Sequence, residues 1–161
     1  NNIGGSILID HKVYKGESPR SGEVGHMTVL PGGRECYCGQ HGCFEVYCNA
    51  AILSGQYEGD LAMFFQRLDE GEEKCRQIWK EYLHYLSIAV NNIRMLFDCK
   101  VILGGYVGAY LEKYMDELKR LAAARNTFED NADYLRVCKV KKDALALGSA
   151  LPFVHEFWKT L

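Results

Sequence analysis

The sequence predicts an α/β domain, and three observations carry that reading. The second half of the chain alternates strand, helix, strand and helix. A short apolar hairpin opens the first half. Between them lies a stretch rich in Gly, Pro and Cys whose side chains predict a zinc-binding loop at about residues 22–45. The 161 residues, 48% of them hydrophobic, suffice for one packed core, so 1–161 reads as a single domain.

Each element has a local reason. Residues 4–15 read as a β-hairpin: Ser6-Ile7-Leu8-Ile9 is apolar, Asp10-His11-Lys12 turns, and Val13-Tyr14 returns. Residues 16–45 show no helical period, and an irregular stretch of that length needs a function or a tether other than a core. Ala50 to Ser54 forms a short helix. Leu61, Phe64, Phe65 and Leu68 mark the face of a second. Ile78, Tyr82, Leu86, Ala89, Val90, Ile93, Leu96 and Phe97 mark a long third at the same three-to-four spacing. Lys100 to Leu103 is a strand closed by Gly104-Gly105, and Leu111, Tyr114, Met115, Leu118 and Leu121 line the next helix. Tyr134 to Val140 alternates like a strand, with Leu135 and Val137 on one side. Asp143 is expected to cap a last helix running to about Trp158, which Pro152 should bend. Strand–helix–strand in this order implies a right-handed crossover and layered α/β packing.

Composition excludes some functions. A formal net charge of -2 offers no broad basic face for nucleic acid. No apolar run reaches the roughly 20 residues that span a bilayer, so no membrane partner is expected. The opening Asn1-Asn2-Ile3-Gly4-Gly5 lacks both the initiator Met and the pattern of a signal peptide, and reads as the start of a fragment of a longer protein. Seven cysteines are an odd number, and three of them fall within eight residues beside Gly and His. That clustering fits a metal site better than a disulfide framework and places the chain in a reducing cytoplasm.

The constellation is His26-x9-Cys36-x-Cys38-Gly39-x-x-Gly42-Cys43. Zinc prefers four nitrogen and sulfur ligands in a tetrahedron, and His26, Cys36, Cys38 and Cys43 supply them. Four protein ligands leave no position for water, which makes the site structural rather than hydrolytic. The bland alternative is a packed thiol cluster without metal. Cys48 reads as a buried small hydrophobe, His41 as an exposed loop residue, and Cys75, Cys99 and Cys138 as parts of apolar patterns.

Gly22-Glu23-Val24-Gly25-His26, followed by Cys36-Tyr37-Cys38-Gly39-Gln40-His41-Gly42-Cys43-Phe44-Glu45, resembles the signature of the ROK family of repressors, open reading frames and kinases. Weaker agreement runs from Ile3-Gly4-Gly5 through Val101-Ile102-Leu103-Gly104-Gly105 to Ala146-Leu147-Gly148-Ser149-Ala150. The resemblance implies the second, C-terminal domain of the actin-like, hexokinase-like fold, with the N-terminal domain absent from this chain. It also implies that Glu23, His26 and Glu45 hold the hydroxyls of a sugar or sugar phosphate, with His26 serving the zinc as well. Without it, Glu23 and Glu45 would read as solvated charges. A carboxylate can accept hydrogen bonds from two adjacent hydroxyls, and a metal-bound imidazole keeps one nitrogen for a sugar oxygen.

Gly104-Gly105 matches a turn that meets the adenosine of ATP in the family's kinases; on its own it is an ordinary strand-to-helix turn. Gly4-Gly5 matches part of a phosphate-binding turn, but Asn1-Asn2 precedes it and Ser6 follows where the kinases carry further Gly and Thr. The general-base Asp and the first phosphate loop of such kinases belong to the other domain, so this chain alone is expected not to phosphorylate sugars.

Three readings follow. The leading one is the sugar-binding domain of a NagC/XylR-type transcriptional regulator, which would reach DNA only through a missing N-terminal helix-turn-helix. The altered Gly-rich turn and the wording of the cysteine motif support it. The alternative is the C-terminal half of an ATP-dependent sugar kinase resembling glucokinase or fructokinase, with ATP and Mg2+ as cofactors on that reading only. A zinc-ribbon interaction module fits poorly with so large an α/β remainder. The chain's own N-terminal domain is an expected partner. A homo-oligomer could use Phe157 and Trp158, although core filling is the preferred role for those aromatics.

Overall fold

The computed structural model describes residues 2–141 and 143–160. Asn1, part of the expected Gly-rich turn, lies outside them. Strands β1 (Ile7–Ile9) and β2 (Lys12–Tyr14) form the expected antiparallel hairpin, with Leu8 opposite Val13. Asp10 and His11 both take positive φ, 50° and 63°, which is the backbone of a tight two-residue hairpin turn. Both faces of the hairpin are open: Leu8, Ile9, Val13 and Tyr14 are all exposed.

Beyond the hairpin, residues up to 44 hold no α-helix or extended strand, as expected. One 3-10 turn, Val24–His26, and two isolated bridges, Thr28 with Cys43 and Glu35 with His41, give the stretch its shape. Helix α1 (Glu45–Cys48) then begins inside the expected loop, earlier than the apolar pattern indicates. It leads into α2 (Ala50–Ser54), where Asn49 caps by accepting from the Ile52 amide at 3.1 Å.

Helix α3 (Leu61–Asp69) buries Phe64, Phe65 and Leu68, the face read from the sequence. Asp60 accepts from the Met63 amide at 2.9 Å, closing one of the orphan donors of the first turn. Asp60→Ala is therefore expected to lower the unfolding free energy by about 1 kcal/mol, read as a shifted denaturant midpoint at unchanged slope.

Helix α4 (Glu73–Phe97) runs through the middle of the fold against α1, α2 and α3. Its buried stripe is wider than the expected one and also takes in Cys75, Trp79 and Leu83. It ends sooner, because Leu96 and Phe97 are exposed and Ile93 is only partly buried. Strand β3 (Val101–Leu103) follows, then α5 (Gly105–Gly108), a 3-10 turn at Leu111–Tyr114, α6 (Met115–Ala123) and β4 (Leu135–Val137). β3 and β4 pair in parallel, Ile102 opposite Arg136, as the crossover predicts. The second strand covers three residues rather than seven. Cys138 still donates its amide to Leu103 at 2.8 Å, but pairing ends there. Stacked pairs Phe65–Tyr110, at 4.2 Å between centroids, and Trp79–Tyr82, at 5.2 Å, form the aromatic centre of the core.

Helix α7 (Ala144–Lys159) departs from expectation twice. Asp143 precedes it in a left-handed conformation, φ 57°, and its side chain makes no capping bond. Such a backbone aims the carboxylate away from the first-turn amides that a cap in the β region would reach. Phe157 and Trp158 do not fill the core: they are exposed and meet each other edge-on at 6.2 Å. No α7 side chain among the described residues is buried, so the apolar pattern of this helix has no partner in the core. No described helix is long and apolar enough to cross a membrane.

Candidate functional site

The loop is tied to the helical core through α1. The Arg34 amide donates to Tyr47 Oη at 2.8 Å, and the Arg34 guanidinium lies 4.8 Å above the same ring. Tyr47 packs on Tyr85 of α4 at 4.0 Å, and Arg34 pairs with Glu81 at 2.8 Å. Inside the loop the backbone satisfies itself. Val29 and Phe44 amides donate to Gly42 and Met27 carbonyls at 2.8 Å each, and Cys36 donates to Gln40 at the same distance.

These bonds gather the four expected ligands. The donor atoms of His26, Cys36, Cys38 and Cys43 all lie within 4.8 Å of one another. Cys38 Sγ stands 3.7 Å from Cys43 Sγ, and Cys36 Sγ 3.8 Å from His26 Nδ1. A tetrahedron with metal–sulfur bonds of about 2.3 Å has edges of about 3.8 Å, so the set has the right size for a four-coordinate metal ion. The thiols are unequal. The Gln40 backbone amide, with the neighbouring thiols and His26, draws Cys38 down to about 7, whereas burial and the adjacent thiols push Cys43 up to about 12. Three thiolates cannot crowd together without a cation, and a bound metal would ionise all three. Cys48 is buried and donates to the Tyr82 carbonyl at 3.3 Å, as befits a packed thiol. His41 is exposed, its Nδ1 3.1 Å from the Gly33 carbonyl oxygen.

With Nδ1 turned to the thiols, His26 presents Nε2 outward. Glu45, at the start of α1, is 3% exposed and accepts from the Ile3 amide at 2.6 Å. A carboxylate so buried is held by design of the fold rather than left as a surface charge. Gly25 makes room for it: a Cβ there would lie 3.0 Å from Glu45 Oε2 and 2.5 Å from the Ile3 carbonyl oxygen. Glu23 is exposed at the head of the 3-10 turn. One further side chain, without a periodic signal in the sequence, meets His26. The Tyr37 hydroxyl lies 3.0 Å from His26 Nε2. Its pKa is raised by partial desolvation and by the charges of Glu45 and Glu23, among others. An exposed loop tyrosine carries no periodic signal; its place between two ligand cysteines is the only clue the sequence offers.

The two Gly-Gly turns lie in different settings. Gly5 is in backbone contact with Gly22, next to Glu23, while Gly4 is open. Gly104 abuts Cys138, and Gly105 turns with φ 73°. The residue after that turn, Tyr106, joins Ala50, Ser54, Gly59 and Leu61 around a cavity of about 300 Å3. A larger groove, about 660 Å3, follows β4 with Lys119, Arg136 and Lys139 and includes none of the expected site residues.

The ROK family profile matches residues 2–155. The chain belongs to the ROK family. The N-acetylmannosamine kinase of Salmonella arizonae is 28% identical over 158 residues, which cover 92% of this chain and 52% of that protein. The chain thus spans about half the length of the curated relatives it matches. A ROK hexokinase from Thermus thermophilus superposes with a TM-score of 0.76 at 29% identity, over 93% of this chain and 53% of that one. A ROK family transcriptional regulator, a homolog of the E. coli MLC protein, superposes at 0.62 with 21% identity over 76% of this chain and 35% of that one, a likeness of fold alone. The hexokinase-like, mixed α/β expectation holds for this ROK chain. The order of the functional readings changes, because the N-acetylmannosamine kinase and the ROK hexokinase, both above 25% identity, are kinases, whereas the regulator is a likeness of fold alone.

Proposed function

We propose that this chain is the sugar-binding, zinc-containing half of an ATP-dependent ROK sugar kinase acting on a hexose or N-acetylhexosamine. The observation that carries the reading is the buried Glu45 carboxylate, 3% exposed, in the same loop as an outward His26 Nε2 that already holds a hydroxyl, that of Tyr37, at 3.0 Å. A polyhydroxylated ligand needs such a cluster of acceptors and a donor. Zinc suits the three thiols and imidazole, and its part is to fix the His26 ring so that Nε2 faces the sugar. On this reading the nucleoside end of ATP would lie near Gly104-Gly105, whose next residue, Tyr106, lines a cavity of about 300 Å3. The general base and the first phosphate loop would come from the other half of the protein. The regulator reading keeps the supports it had in the sequence, the altered Gly-rich turn around Gly4-Gly5 and the wording of the cysteine motif.

The full-length natural chain, given ATP, Mg2+ and a panel of hexoses and N-acetylhexosamines, should release ADP with at least one sugar. Glu45→Gln should lower kcat/KM for that sugar by roughly 10- to 100-fold, the range of a lost hydrogen bond to a charged group. No sugar-dependent ADP, together with sugar-dependent release from DNA, would return the regulator to first place.

A further inference from the structure

Tyr37 stands where the proposed sugar site is most crowded with polar groups. Its hydroxyl is 3.0 Å from His26 Nε2, its ring meets the imidazole edge-on at 5.2 Å and 75°, and Asn2 Nδ2 donates to the same oxygen at 3.3 Å. The backbone beneath it is pinned, because both chain neighbours are metal-type ligands and Gly39 donates to the Cys36 carbonyl at 2.8 Å. Its side chain is 68% exposed, so turning it into solvent sacrifices little packing. Rotation about the side-chain torsions is therefore the one cheap movement available.

The imidazole has a single proton to offer. With Nδ1 on the metal, a neutral histidine carries that proton on Nε2. The geometry gives it to Tyr37. A sugar hydroxyl read by His26 needs the same N–H, and one N–H does not serve two acceptors at full strength.

We propose that Tyr37 is a built-in competitor for the sugar: its hydroxyl occupies His26 Nε2 in the unliganded protein, and a sugar hydroxyl must displace it to bind. The inference rests on the sugar site proposed above. The apparent dissociation constant is the intrinsic one divided by the fraction of protein whose tyrosine is turned away. A hydrogen bond of ordinary net strength keeps that fraction at roughly a tenth to a third, so Tyr37→Phe tightens sugar binding roughly three- to tenfold. The phenyl ring still packs on His26, so the change reports the hydroxyl alone. Tyr37 also selects among ligands, since a deoxysugar lacking the displacing hydroxyl gains nothing from the substitution.

The test is calorimetric titration of the zinc-loaded, full-length natural chain with glucose and with N-acetylmannosamine, comparing wild type, Tyr37→Phe and Glu45→Gln at equal measured zinc content. Tighter binding by Tyr37→Phe, with weaker binding by Glu45→Gln, is the expected pair of results. Equal or weaker binding by Tyr37→Phe, with Glu45→Gln impaired, overturns the competitor role and leaves the sugar site standing. Full affinity in Glu45→Gln, or no binding of either sugar by any of the three proteins, overturns the sugar site and the competitor with it.

Discussion

On the proposed zinc reading, Cys43→Ser is expected to drop zinc content from one ion per chain to near zero and to release residues 22–45 from their fold. Beyond its backbone bonds and the Arg34 contacts to Tyr47 and Glu81, the loop has little apolar support. Its buried apolar side chains are Val29 and Phe44, next to Cys36 and Cys43 themselves. Structural zinc sites of this donor type are worth about 10–16 kcal/mol of binding free energy in small domains, and that energy becomes folding energy wherever the apo site is unformed. Removing the buried thiolate should therefore cost orders of magnitude in metal affinity. Metal analysis checks the first part, and amide hydrogen exchange over 22–45 checks the second. Acid should release the metal in the wild type too, because every thiolate ligand regains a proton as the pH falls. Sugar affinity should fall with the metal, since His26 loses its orientation. Cys38→Ser that lost zinc but kept full sugar affinity would separate the two, leaving the metal assignment intact and its link to recognition broken.

Gly42→Ala is expected to be the most damaging Gly→Ala change in the chain, at about 3–5 kcal/mol with metal affinity falling alongside. Gly42 has φ 81°, and a Cβ would lie 1.7 Å from the Leu30 carbonyl oxygen and 2.7 Å from its carbon. Neither atom can yield cheaply. Gly42 accepts from Val29 and Leu30 amides at 2.8 and 3.2 Å and donates to Arg34 at 2.8 Å, so relief means breaking the loop's own bonds. Cys43 is the next residue, and any shift moves a ligand. Gly39→Ala is the matched control: φ is 82°, but nothing lies within 4 Å of its Cβ, which leaves only the left-handed strain of about 1–2 kcal/mol. Chemical denaturation resolves the two. Equal losses would mean that the close approach at Leu30 does not govern the turn.

The parts of the fold legible in the sequence are those set by local pattern. Phe64, Phe65 and Leu68 repeat at helical spacing and are buried together. Ile7 to Tyr14 turns where Asp10 and His11 can tolerate positive φ. The metal set was readable for the same reason, because its ligands lie close in the chain. What pattern misses is where a neighbour stops. Leu96, Phe97, Phe157 and Trp158 carry an apolar signal as strong as that of Trp79 or Leu83, yet they are exposed, because periodicity finds a face without finding what covers it. The start of α1 was hidden because Glu45, Tyr47 and Cys48 make no recognisable stripe in four residues. Glu45 itself looks like any surface acid until its burial and its bond from Ile3 are known. The roles proposed for Glu23, His26 and Glu45 come from the resemblance rather than from spacing, and Tyr37, exposed and aperiodic, has neither signal.

The short run Ile3–Gly5 acts as a ruler. Its first amide is fastened to Glu45 at 2.6 Å, and at Gly5 it lies in backbone contact with Gly22. Two residues of extended chain reach at most about 7 Å. On the proposed reading, the carboxylate that holds the sugar and the turn that meets a phosphate are thus separated by a fixed span of covalent backbone. Lengthening that run by one residue would shift the two ends of the reaction out of register without touching any side chain at either.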